Sequence, residues 1–258
     1  MKKPMAPGRR AARTAAALAC VWCAAVAADA EAAVLRSARC YSTIPAKVVR
    51  KIPVPAGYHE GLLPVGKDMW LANGRCGKIM VIDLDAGAHV STIEPISTFT
   101  EGISRYGDTE YFVTDWDDRK LYRARLEGDR LVAEAGVSFD PAHPAGVVWT
   151  GSRLFVITWT RGMGTKFDLV ELDADLKVLC RYRMLRIQEP SQLAWDGAHL
   201  WISSWYSNLV YKVDVEAMEI VGSFRSPVSL TTGIAWDGSS MWLTGTDSDL
   251  YRLEIARE

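Results

Sequence analysis

Two glutamates and a set of tryptophans occupy equivalent places in a phrase that recurs along this 258-residue sequence. Glu60 precedes Gly61-Leu62, and Glu101 precedes Gly102-Ile103. Carboxylates in matching repeat positions suit a shared task as acid and base, and equally suit bonding the amides of a strand end. Trp116, Trp159 and Trp205 follow apolar runs at a point where burial is not obligatory. An indole there stacks on a sugar, a peptide side chain or a cation, or packs between neighbouring sheets. Asp115, beside Trp116, is the third candidate acid. Further candidates for binding a substrate are His59 beside Glu60, Gln192 in the glycine's place of the fourth unit, and Asn73, Arg75 and Asp247 from a column twelve to fourteen residues after that place.

The set contains no nucleophile–base pair of recognisable spacing. Asp83-x-Asp85, Asp173-x-Asp175 and Asp214-x-Glu216 read as turn formers that bond nearby backbone amides. Asp115-Trp116-Asp117-Asp118 and Asp247-Ser248-Asp249 are rich in oxygen but match no defined calcium loop. No cofactor is expected, with calcium as the lesser alternative. Four His, and no Cys-x-x-Cys beyond the N-terminal leader, argue against a zinc site.

The elements that position these residues follow from the repeat itself. Its five anchors are Glu60-Gly61-Leu62, Glu101-Gly102-Ile103, Ala145-Gly146-Val147, Ser191-Gln192-Leu193 and Thr232-Gly233-Ile234, spaced 41, 44, 46 and 41 residues apart. Nine residues after each comes an aromatic: Trp70, Tyr111, Phe155, Trp201 and Trp242. Within the fourth unit, apolar runs 192–195, 200–203, 209–213 and 219–224 are separated by turn residues such as Asp196-Gly197. Four strands per unit, five times over, describe an all-β, five-bladed β-propeller of four-stranded antiparallel blades. The fifth unit ends at its third strand, and the unassigned run 47–53 is expected to complete it, so that an N-terminal strand closes the last blade.

Composition agrees. Ten Trp, nine Tyr and twenty Gly suit aromatic strands and tight turns. A formal net charge of -1 excludes a dedicated nucleic-acid binder. Lys2, Lys3, Arg9, Arg10 and Arg13 open the chain, an uncharged Ala-rich stretch follows to Ala28, and small residues flank Asp29 and Glu31. Residues 1–30 therefore read as a signal peptide cleaved near Ala30 or Ala32, 31–46 as a lead-in and 47–258 as the propeller. The product is expected in the periplasm or outside the cell, with no membrane span after processing. Cys40, Cys76 and Cys180 remain in it, their pairing left open by the sequence.

In order, these phrases resemble the glutamine cyclotransferases, secreted five-bladed propellers that convert N-terminal glutamine to pyroglutamate. Tyr58-His59-Glu60-Gly61-Leu62 stands where that family has Phe-Thr-Gln-Gly-Leu, and Glu101-Gly102-Ile103 matches its Glu-Gly-Ile. Ile202-Ser203-Ser204-Trp205 parallels Ala-Asn-Val-Trp, while Gly233-Ile234-Ala235-Trp236 and Leu243-Thr244-Gly245 parallel its closing phrases. The resemblance implies a glutamate in the place of Leu71, where this sequence has no proton-carrying group. On that reading the funnel binds a small molecule or peptide through its aromatic wall without assigned catalysis. The alternatives are an active cyclotransferase with a relocated carboxylate, a protein-interaction propeller and a metal-dependent, lactonase-like hydrolase.

Overall fold

Apolar runs with no polar alternation become strands buried on both faces; residues 154–157 of the third unit have no exposed surface. The computed structural model describes residues 32–74, 77–246 and 249–256. The expected signal peptide, Arg75, Cys76 and Asp247 lie outside the described residues. Among those described there are strands and turns but no helix, and so none long and apolar enough to cross a membrane.

Three strands precede the first repeat: β1 (Ala33–Val34), β2 (Arg36–Thr43) and β3 (Ala46–Pro53). The first blade is β4 (His59–Val65), β5 (Asp68–Asn73), β6 (Lys78–Asp83) and β7 (Ala88–Ile93). The second is β8 (Thr100–Arg105), β9 (Glu110–Asp115), β10 (Lys120–Glu127) and β11 (Arg130–Ser138). The third is β12 (His143–Trp149), β13 (Leu154–Thr160), β14 (Lys166–Leu172) and β15 (Val178–Arg183). The fourth is β16 (Pro190–Trp195), β17 (Leu200–Ser204), β18 (Leu209–Asp214) and β19 (Glu219–Arg225). The last holds β20 (Thr231–Trp236), β21 (Met241–Gly245) and β22 (Asp249–Ile255), with β3 as its outer strand. Leu250 faces Ile52 and Tyr251 faces Lys51 in that antiparallel ladder, and a 2.6 Å ion pair joins Lys51 to Asp249. The chain is a five-bladed propeller closed by its N-terminal strand.

The segment read as a lead-in supplies two more strands. β1 runs parallel to β15 at the rim of the third blade, and β2 runs parallel to β19 at the rim of the fourth. Their side chains are largely exposed, so hydrophobic periodicity carries no sign of them; backbone pairing and the buried Leu35 and Ile44 hold them in place. These strands cover two sheet edges that would otherwise be open to other chains.

One hydrophobic cluster fills each gap between neighbouring blades. Trp70 and Tyr111 meet in the gap between the first and second, Phe155 lies between the third and fourth, Trp201 between the fourth and fifth, and Trp242 between the fifth and first. The nine-residue spacing is thus a blade-to-blade packing rule. Two of these indoles are also locked to their turns: Trp201 Nε1 donates to Asp196 at 2.8 Å and Trp242 Nε1 to Asp237 at 2.7 Å. Asp83, Asp173 and Asp214 each accept two backbone amides within the turn that follows, which accounts for the recurring acidic pairs.

Candidate functional site

Every innermost strand breaks register at the anchor. The shift falls between His59 and Leu62, Thr100 and Gly102, Pro144 and Val147, Pro190 and Leu193, and Thr231 and Gly233. A bulge re-aims side chains, and here it turns the first residue of the anchor in four of the blades toward one cavity. Glu60, Glu101, Ser191 and Thr232 accordingly line one cavity of about 160 Å³. Ala145, the third blade's equivalent, is buried and is not among its lining.

The anchor glycines let these strands approach. A Cβ on Gly61 would lie 2.9 Å from the Gly102 Cα, one on Gly102 2.9 Å from the Ala145 carbonyl, and one on Gly146 2.6 Å from the Gln192 Cα. A Cβ on Gly233 would lie 2.3 Å from the Glu60 carbonyl, which closes the circle. Only the fourth blade lacks the glycine. Gln192 stands there, and its Nε2 donates across the channel to the Glu101 carbonyl at 2.8 Å.

The wall of the cavity is aromatic: Tyr58, Phe99, Trp116, Trp159 and Trp205, with Arg161 at the mouth. Trp116 stacks on His143 at 4.7 Å and meets the edge of Trp159 at 5.6 Å. Trp159 Nε1 donates to the Pro190 carbonyl at 2.7 Å. Trp205 Nε1 and Thr232 Oγ1, on two residues of the lining, are buried polar atoms without a protein partner among the described residues.

Burial pushes the Glu60 carboxyl well above the usual carboxylate range, and the charge of Glu101 adds to the effect. Burial also pushes Glu101 up to about 8, helped by the charges of Asp115 and Asp117. Neither glutamate has a cationic partner among the described residues, so each favours its protonated form near neutrality. Two carboxyls in one enclosed space that resist joint ionisation are equipped to hold and pass a proton.

The other expected site residues have different surroundings. Asp115 is fully buried and does not line the cavity. One of its oxygens accepts the Ser97 hydroxyl and the Phe99 amide, and the other accepts the Asp118 amide at 2.6 Å, so it holds the loops that carry Phe99 and Trp116. His59 bonds the Pro55 carbonyl at 3.0 Å and faces Asn73 in the ladder behind Glu60, and both are buried outside the lining. Gln192 is the channel bridge already described. Leu71 has no exposed surface and packs between the first and fifth blades. Cys40 and Cys180 are free thiols. Tyr58, Phe99 and Arg161 are lining residues outside the sequence-derived set. The first two sit two residues before Glu60 and Glu101, as His143 does before Ala145, a third column visible in the repeat. Arg161 has no repeat equivalent.

The fold is similar to that of a glutaminyl cyclase from Myxococcus xanthus, with a TM-score of 0.68 over 83% of this chain and 98% of that one. The likeness is one of fold, at 15% sequence identity. The PQQ-bound form of an aldose sugar dehydrogenase from Streptomyces coelicolor follows, with a TM-score of 0.55 and 12% identity over 83% of this chain and 99% of that one. No protein-family model and no curated protein matches the sequence.

Proposed function

We propose that this protein is a glutaminyl-peptide cyclotransferase in which Glu60 and Glu101 form the acid–base pair. The observation that carries the reading is two buried, proton-holding glutamates facing one aromatic-walled cavity. An engineered cavity of about 150 Å³ holds one benzene ring, so a space of this size takes a single side chain and its amine. In the reaction the α-amine of an N-terminal glutamine attacks its own side-chain amide carbon. A carbon–nitrogen bond forms, the bond to the amide nitrogen breaks, and ammonia leaves. The amine gives up one proton and the leaving group gains one, so once one member of the pair has ionised, that carboxylate accepts while its still-protonated neighbour donates, and the step balances. Trp205 Nε1 and Thr232 Oγ1 supply unpaired donors for the oxygen that becomes negative on the way. The fold shared with a glutaminyl cyclase supports the reading, and the composition of residues 1–30 supports action outside the cytoplasm.

Incubation of the purified protein with a Gln-initiated peptide tests it, by ammonia release and by mass spectrometry of the product. Glu101→Gln and Glu60→Gln should each lower the rate by about 10²–10⁴-fold, the usual contribution of a general acid or base. The second reading, binding without turnover, is favoured by Leu71 where the resemblance implies a glutamate. A peptide that binds but releases no ammonia supports that reading and overturns the first.

A further inference from the structure

Arg161 stands at the mouth of the cavity, two residues beyond Trp159, with its guanidinium carbon 5.1 Å from the centre of the Trp116 ring. It is exposed and makes no ion pair among the described residues, whereas Arg153, Arg183 and Arg252 each meet a carboxylate. A guanidinium held on an indole keeps N–H groups for a second partner, and a carboxylate is the partner whose geometry it matches in bidentate fashion. The polarity of the cavity is therefore ordered along its depth, with two glutamates among its buried lining and an unpaired cation at its lip. A cavity of this size takes one residue, so the rest of a seated peptide leaves through the mouth, where Arg161 is the exposed member of the lining.

We propose that Arg161 selects peptides carrying a carboxylate on the residue that follows the seated one. The inference rests on the reading of the cavity as a site for an amino-terminal residue. The carboxylate is either an acidic side chain at the second position or the free C-terminus of a dipeptide, and both present the same group to the guanidinium. Complementary charge at the lip acts on capture and orientation, leaving the proton transfers to the glutamates.

Four peptides separate the cases: Gln-Asp-amide, Gln-Ala with a free C-terminus, Gln-Ala-amide and Gln-Lys-amide. Rapid-mixing tryptophan fluorescence gives Kd before any turnover, and initial rates give KM and kcat. The carboxylate-bearing peptides should bind about fivefold more tightly than Gln-Ala-amide, the value of a partly solvated ion pair. A gain confined to Gln-Asp-amide assigns the side chain as the source, and a gain confined to the free acid assigns the terminus. Arg161→Gln should bring the ratio close to one, Arg161→Lys should retain part of it, and Arg161→Glu should turn the preference toward Gln-Lys-amide. Equal affinity for all four peptides with turnover intact overturns the selection and leaves the cyclotransferase reading standing. A preference that survives Arg161→Gln assigns it to another residue and overturns the role of Arg161. No binding of any peptide by either readout overturns both.

Discussion

Gln192 donates its side-chain Nε2 to the main-chain carbonyl of Glu101 at 2.8 Å, and the two residues belong to blades that are not neighbours in the ring. The bond therefore spans the central channel. It fills the axis at the one blade whose anchor lacks a glycine, and it ties down the bulged strand that aims Glu101 into the cavity. Glu101 is thus held from its own sheet and from across the ring.

Replacing Gln192 tests that bridge. Gln192→Ala removes the donor and leaves the Glu101 carbonyl without its partner in the channel, at a cost of about 1–3 kcal/mol in urea unfolding. Turnover of a Gln-initiated peptide should fall as well, because the strand under the acid–base pair loses its cross-channel tie. Unchanged stability would show that water replaces the bond without loss.

The proton-holding glutamates make stability depend on pH with a definite sign. The folded state keeps a proton on Glu101 up to about 8, against an ordinary value of 4.5 that the unfolded chain regains. The resulting stabilisation is complete below 4.5, declines as pH rises, and is lost above about 8. Glu60 acts in the same direction. Thermal unfolding should show Tm falling between about pH 5 and about pH 9. Glu101→Gln, neutral in both states, should flatten that slope and raise Tm at the alkaline end by about 2–4 °C for each kcal/mol relieved.

Closure of the inner ring depends on Gly233. A Cβ there would lie 2.3 Å from the Glu60 carbonyl, a backbone atom that no side-chain rotation removes. Gly233→Ala should destabilise the protein by about 1–3 kcal/mol and displace the strand that carries Glu60. Urea unfolding measures the first effect, and the loss of cyclisation rate measures the second.

Two tryptophans separate site from scaffold. Trp205 Nε1 is buried without a partner beside the cavity, whereas Trp242 Nε1 is bonded to Asp237 in a turn. Trp205→Phe should leave Tm close to the wild-type value and cost about 10²-fold in kcat, the loss that follows removal of one donor to a developing oxyanion. Trp242→Phe should do the reverse, lowering stability by about 1 kcal/mol with kcat retained. Equal effects of the two changes on turnover would remove Trp205 from the site.

Much of the scaffold is legible in the anchors. A glycine before an apolar pair, with an aromatic nine residues on, marks strands whose two faces are both covered, and this local rule repeats with each blade. Trp116, Trp159 and Trp205 share a cavity for the same reason, since strand ends thirteen or fourteen residues beyond the anchor position converge in a closed ring. Asp115 shows where such reading stops. It stands beside Trp116 and looks equally available, yet its oxygens accept the Ser97 hydroxyl and the amides of Phe99 and Asp118. His59 and Asn73 are similar, drawn into the ladder behind Glu60. Whether a polar side chain finds a backbone partner depends on loops that periodicity does not describe. β1 and β2 escape for a related reason: parallel edge strands with exposed side chains are held by main-chain bonds, and those leave no mark on residue type.

The repeat, the strands within it and the ring that follows can be read from neighbouring residues, because burial on both faces and turn chemistry are local properties. The state of the site arises only on folding. Glu60 and Glu101 are ordinary carboxylic acids 41 residues apart along the chain. They hold their protons because ring closure removes both from water, sets Glu60 in the field of Glu101 and sets Glu101 in the fields of Asp115 and Asp117, and desolvation and charge proximity are properties of position in space.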